Sequence, residues 1–195
     1  MKVEPVTLAG KFVRLEPLSE AHLAGLAEAG NDPSIWRYMP YGDVSVAGGM
    51  RRWVDEVLRR RAAGTDMPFV AIHLASGRVA GATRYMDIHP EHRALEIGGT
   101  WYAPAFQRTV VNTECKYLLL QHAFEELGCI RVQFKADSRN ERSLKAIERV
   151  GGVREGVLRN HMIMPDGVYR HSVYFSILDA EWPQVKEKLL ARLGY

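Results

Sequence analysis

Cysteine is scarce in this chain: Cys115 and Cys129 are the only two among 195 residues. Their spacing matches neither a disulfide framework nor a metal-ligand pattern, so both are expected as small buried hydrophobes. Long apolar runs are missing as well. No stretch is long enough to span a bilayer, and Met1–Val6 has no hydrophobic segment of signal-peptide length. The expected setting is a soluble, cytoplasmic protein without a membrane partner. Charge of one sign is not in excess, with 26 Lys and Arg against 23 Asp and Glu, a net +3. That balance gives little reason to expect nucleic acid as a partner. The chain has no nucleophile elbow, Walker loop, dinucleotide fingerprint or paired Cys/His motif. His89 and His92 share a turn without further ligands, so no metal is expected. No repeat, low-complexity stretch or linker divides the chain, which reads as one α+β domain over residues 1–195.

What is present centres on residues 94–123, a strand, a short polar loop and a long helix. The strand is Ala94–Tyr102, apolar at Leu95, Ile97 and Trp101, with Gly98-Gly99 in its middle. A glycine pair inside a strand marks a bulge or a close backbone approach. Pro104 stops the strand, and Asn112 or Thr113 can cap the helix that follows, apolar at Tyr117, Leu120, Phe124 and Leu127. Gln107–Asn112 then feeds a helix start, whose free N–H groups and positive dipole end favour an anion. A phosphorylated cofactor is expected there.

Before that stretch, Phe12–Leu18 reads as a strand and Ser19 as the cap of a helix over 20–29. Asp32-Pro33 repeats a helix-start signal, and Ser45 is expected to cap a second helix running to about Ala63. Its arginines 51, 52, 59, 60 and 61 read as a solvated face, with a nucleic-acid patch as the other option. Pro68–Leu74 and Arg78–Ile88 make a hairpin. After the central helix, Ile130–Ala136 alternates as a strand, and Ser138-Arg139-Asn140-Glu141 fits a capping box opening a helix that Gly151-Gly152 stops. Val153–Met164 and Val168–Leu178 form a second hairpin around Pro165-Asp166-Gly167, and Glu181–Leu193 is an amphipathic tail. The sheet is mixed and mainly antiparallel.

Three stretches carry a resemblance: LEIGGTWYAPAFQ followed by NTECKYLLLQHAFEELGCIRV, DSRNERSLKAIERVGGVREGVLR, and MPDGVYRHSVYFSILDAEW. In order and spacing they resemble the GNAT (Gcn5-related N-acetyltransferase) superfamily, in particular the Rim-type enzymes that acetylate the N-termini of ribosomal proteins. The resemblance implies acetyl-CoA as co-substrate and a primary amine as acceptor, either a protein N-terminus or a small molecule. It implies a homodimer only in so far as dimers are common in such families. The family's loop, Arg/Gln-x-x-Gly-x-Gly/Ala, is matched by Gln107, Arg108, Thr109, Val110, Val111 and Asn112, with Thr113 beside it. Val110 stands where the family has glycine, which makes converging N–H groups harder to present.

Carried over residue by residue, the backbone around Trp101 and Tyr102 would pair with the pantetheine arm, and Asn140 would hydrogen-bond it. Ser143 would protonate the departing thiolate, and Glu96 would act as general base. Trp36, Tyr38 and Tyr41 would line the acceptor pocket. Each has a plainer option: Asn140 and Ser143 as helix-start residues, Glu96 as a strand salt bridge, the aromatics as packing. A module that binds coenzyme A or a peptide without turnover is the alternative function.

Overall fold

The computed structural model describes all of residues 1–195. Eight strands form one sheet: β1 (Leu8–Ala9), β2 (Val13–Pro17), β3 (Met67–His73), β4 (Val79–His89), β5 (Ala94–Tyr102), β6 (Arg131–Asp137), β7 (Val153–Ile163) and β8 (Tyr169–Leu178). Their order is β1-β2-β3-β4-β5-β6-β8-β7, antiparallel throughout except between β5 and β6. Five helices flank the sheet: α1 (Leu23–Ala29), α2 (Gly49–Ala62), α3 (Val110–Gln121), α4 (Glu141–Val150) and α5 (Trp182–Leu193).

Strand alternation sorts side chains onto two faces. On one face Tyr85, Leu95, Ile97, Val132, Phe134, Val173 and Phe175 meet α3, α4 and α5 in the larger apolar cluster. Glu114 ties α3 to the start of β2, because its buried carboxylate accepts the N–H groups of Lys11, Phe12 and Val13 at 2.9, 2.8 and 2.6 Å. On the other face α1 and α2 cover a smaller cluster that contains Trp36, Trp53 and Trp101. Both cysteines are free and buried, as their composition suggests. The arginine face of α2 is solvated and paired, Arg51 with Glu20 and Asp55, Arg59 and Arg60 with Glu56.

Three helix starts differ from the sequence expectation. Thr109, not Asn112 or Thr113, caps α3, its hydroxyl accepting from Val111 N–H at 3.3 Å. Arg108 is left-handed (φ 60°) and turns the chain directly into the helix. Gly48, not Ser45, caps α2, since the Ser45 hydroxyl is taken by Asp43 at 2.6 Å. Asn140, not Ser138, caps α4, its side chain accepting Ser143 N–H at 3.1 Å.

Candidate active site

The one parallel pairing in the sheet is short. β5 and β6 are in register at Ala94–Arg131, Leu95–Val132 and Glu96–Gln133, and then part. Beyond Glu96 each strand keeps only its outer neighbour, β4 for β5 and β8 for β6. A cleft of about 300 Å³ runs through the gap, lined by Gly98–Tyr102 on one side and Phe134–Asp137 on the other. Open backbone edges in such a place are hydrogen-bonding sites for an extended ligand.

The glycine pair shapes this opening. β5 shifts register against β4 between the pairs Ala82–Trp101 and Arg84–Gly98, a bulge at Gly99–Thr100. A methyl on Gly98 would lie 2.7 Å from Glu96 Oε1 and from the Met86 sulfur. Gly99 has φ +57°, and a methyl there would lie 2.7 Å from Arg84 Nε. Glycine is demanded at both positions by what crowds them.

At one end of the cleft stand Gln107–Thr109, Asn112 and Thr113 at the start of α3, with Asn140, Arg142, Ser143 and Arg149 of α4 opposite. Gln107 bridges the two sides: its amide donates to Tyr102 C=O at 2.9 Å and its carbonyl accepts from Arg142 at 2.6 Å. The Tyr102 carbonyl is therefore engaged, and less of the β5 backbone is open than the sequence implied. Val110 and Val111 do not line the cleft with their side chains. Val111 is buried in the core with Leu118 and Leu119, while Val110 is exposed. Arg108, Arg142 and Arg149 with a helix N-terminus make this end suited to anions. Ser143 lines the cleft one turn into α4, half-buried.

On the other face of the sheet, Glu96 is 1% exposed. Its Oε2 accepts from Lys135 Nζ at 2.9 Å and Gln133 Nε2 at 3.0 Å, which leaves Oε1 directed at the Gly98 bulge. Tyr38 and Tyr41 line this end. Trp36 does not: it is buried, its indole donating to Gly30 C=O at 2.9 Å and its ring stacked obliquely on Trp101. The aromatic density that made it a pocket candidate belongs to the core. Trp101 and Tyr102 are likewise core side chains that offer the cleft mainly backbone.

Four cations of the cleft had no signal in the sequence, because single basic residues in strands and helices read as surface. They are Arg84, Lys116, Lys135 and Arg170. Lys116 reaches from α3 to Thr100 Oγ1 at 2.6 Å and Thr83 Oγ1 at 3.3 Å, with no carboxylate partner. Burial pushes it down to about 8. A lysine that releases its proton more easily folded than unfolded opposes folding while charged. The cost is full below about pH 8 and lifts as pH rises toward the ordinary 10.5. Lys116→Met is expected to raise neutral-pH stability by about 1–3 kcal/mol. It should also abolish the gain in stability between these two pH values. Urea unfolding near neutrality and in mild alkali measures both; a less stable variant would show that the threonine bonds outweigh desolvation.

Comparison with known proteins places this architecture. The model of a family described as acetyltransferase (GNAT) domain matches residues 13–153. A Bacillus subtilis (strain 168) protein named "Putative ribosomal N-acetyltransferase YdaF" is 33% identical over 109 residues. That match spans 56% of this chain and 58% of the relative, little more than half of each. The crystal structure of a "putative acetyltransferase" from T. thermophilus is 40% identical with a TM-score of 0.89, covering 99% of this chain and 100% of that one. A GCN5-related N-acetyltransferase from Brucella melitensis is 30% identical with a TM-score of 0.91, covering 98% and 86%.

Proposed function

The chain belongs to the GNAT acetyltransferase family, and we propose that it transfers the acetyl group of acetyl-CoA directly to a primary amine in the cleft between β5 and β6. The observation that carries this reading is the parting of the two strands at Glu96–Gln133. It leaves an extended slot with an anion-suited helix start on one face and a buried carboxylate on the other. Residues 1–195 act in it as one acetyltransferase domain, in keeping with a cytoplasmic setting.

In this reading the pyrophosphate lies at Gln107–Thr113, over the α3 N-terminus, with Arg108, Arg142 and Arg149 supplying charge. Arg108 is exposed, so its share is on the order of 1 kcal/mol or less. The pantetheine arm lies along the β5 edge beside Asn140. The amine nitrogen attacks the thioester carbonyl carbon, the C–N bond forms, and collapse of the tetrahedral intermediate breaks the C–S bond. Glu96 takes the amine's proton, Ser143 gives one to the departing thiolate, and exchange with solvent returns both groups to their starting protonation states. No acetyl-enzyme is formed. The name of the B. subtilis relative, a ribosomal N-acetyltransferase, supports a ribosomal-protein N-terminus as one acceptor class, and the polar and charged lining of the Glu96 face supports a small amine as the other.

Calorimetry comparing coenzyme A with pantetheine tests the cofactor placement. Coenzyme A is expected to bind about 10²-fold tighter, since the α3 and arginine contacts go to phosphates that pantetheine lacks. Equal affinities, or binding of neither at millimolar concentration, would overturn the assignment and favour a module without turnover.

A further inference from the structure

Resting on the acetyl-transfer reading, we propose that the acceptor is a small primary amine that also carries a carboxylate, held by Arg170 and Arg84 on the Glu96 face of the cleft. Arg170, on β8, is 5% exposed, and its side chain's hydrogen bond is from Nε to Ser172 Oγ at 3.0 Å. The carboxylates near it are engaged elsewhere: Asp137 forms a two-point pair with Arg139, and Glu96 is held by Lys135. Arg170 forms no ion pair of its own.

Arg84, on β4, is 7% exposed and lies over the Gly99 backbone. Its Nε forms a buried ion pair with Asp66 Oδ2 at 3.2 Å, but the orientation makes no hydrogen bond, so neither atom has a hydrogen-bond partner. Buried charge without directed partners is costly, and a guanidinium fork matches a carboxylate in two-point geometry. Arg170 presents such a fork to the cavity without an ion-pair partner, and Arg84, ion-paired to Asp66, stands beside it as a second buried cation.

Placement agrees. Arg84, Glu96, Lys135 and Arg170 alternate with core residues along their strands, so all four share the face opposite α3 and α4. The phosphates of the coenzyme belong to the other face and have their own arginines. Glu96 and Arg84 flank the same glycine pair, so a base for the amine stands beside a cation for the carboxylate. The charge left open on this face is positive, whereas a polyamine or a basic N-terminal peptide would add cations to it. Burial lowers Arg170 from its ordinary value, against the opposing pull of the Asp137 and Glu96 carboxylates.

The test measures thiol release from acetyl-CoA by the full chain with a panel of α-amino acids, each beside its carboxamide, its decarboxylated amine and a short peptide. A carboxylate-bearing acceptor is expected to give kcat/KM about 10²-fold above its carboxamide. Arg170→Gln should remove most of that preference, lowering kcat/KM for the carboxylate about 10²-fold and for the carboxamide much less, and Arg170→Lys should restore part of it. Carboxamide or peptide acceptors equal to or better than the free carboxylate would overturn the proposal, as would an Arg170→Gln loss shared equally by both. A second readout does not need turnover: with coenzyme A present, a preferred amino acid should raise the Tm of the wild type but not of Arg170→Gln. Acetylation of carboxamides or peptides alone sinks this proposal and spares acetyl transfer. Acetylation of no amine sinks acetyl transfer, and a missing Tm shift then sinks the carboxylate site as well.

Discussion

Glu96→Gln is expected to lower kcat by about two to four orders of magnitude with little change in acetyl-CoA affinity, the usual worth of a positioned general base. The side chain is 1% exposed, and two donors hold its Oε2. The other oxygen faces the Gly98 bulge, where a side chain on that residue would displace it. Glutamine keeps the volume and can still accept from Lys135 through its carbonyl, so the proton acceptor is lost and the shape is not. Lys135 does lose its counter-charge, and removing one partner of a buried pair can cost about 3–5 kcal/mol. The rate is therefore read at a temperature where the variant's near-UV spectrum is native. Full turnover in a folded Glu96→Gln would reduce the carboxylate to a clamp for Lys135.

Ser143→Ala is the second large effect, about 10²-fold or more in single-turnover rate. The position allows a clean separation of roles. The plain alternative for Ser143 is helix initiation, but its part there is its backbone N–H, which donates to Asn140 Oδ1 at 3.1 Å. Alanine keeps that bond and removes the hydroxyl alone. Stability should hold within about 0.5 kcal/mol, as for a surface change that touches no buried network. An unchanged single-turnover rate would take Ser143 out of the chemistry.

The sequence made some of this legible and hid the rest for identifiable reasons. β5 is found at its expected bounds, Ala94–Tyr102, because alternation, a glycine pair and Pro104 all mark it. The hairpin around Pro165-Asp166-Gly167 follows from turn residues whose conformational demands are local. Helix starts were misplaced where several capping residues compete, as Thr109 does with Asn112 and Thr113. Which one wins depends on the direction in which the chain arrives, here set by a left-handed Arg108. The candidate base and the α4 residues were legible through a family resemblance. Arg84, Lys116 and Arg170 were not, since nothing local distinguishes a cleft-facing basic residue from a solvated one. Trp36 failed for the converse reason: an aromatic cluster marks apolar packing as readily as a binding wall.

Direct transfer is tested most plainly by mixing the full chain with a stoichiometric amount of acetyl-CoA, quenching at intervals, and following protein mass, free thiol and acetylated amine together. Without an amine, the protein mass should stay unchanged and no thiol should appear beyond slow hydrolysis. With a carboxylate-bearing amine, thiol and N-acetylated product should rise together, one for one, while the protein mass still does not move. A protein gaining an acetyl group before product appears, or bound acetyl-CoA surviving intact beside every amine offered, would contradict acetyl transfer in the β5–β6 cleft.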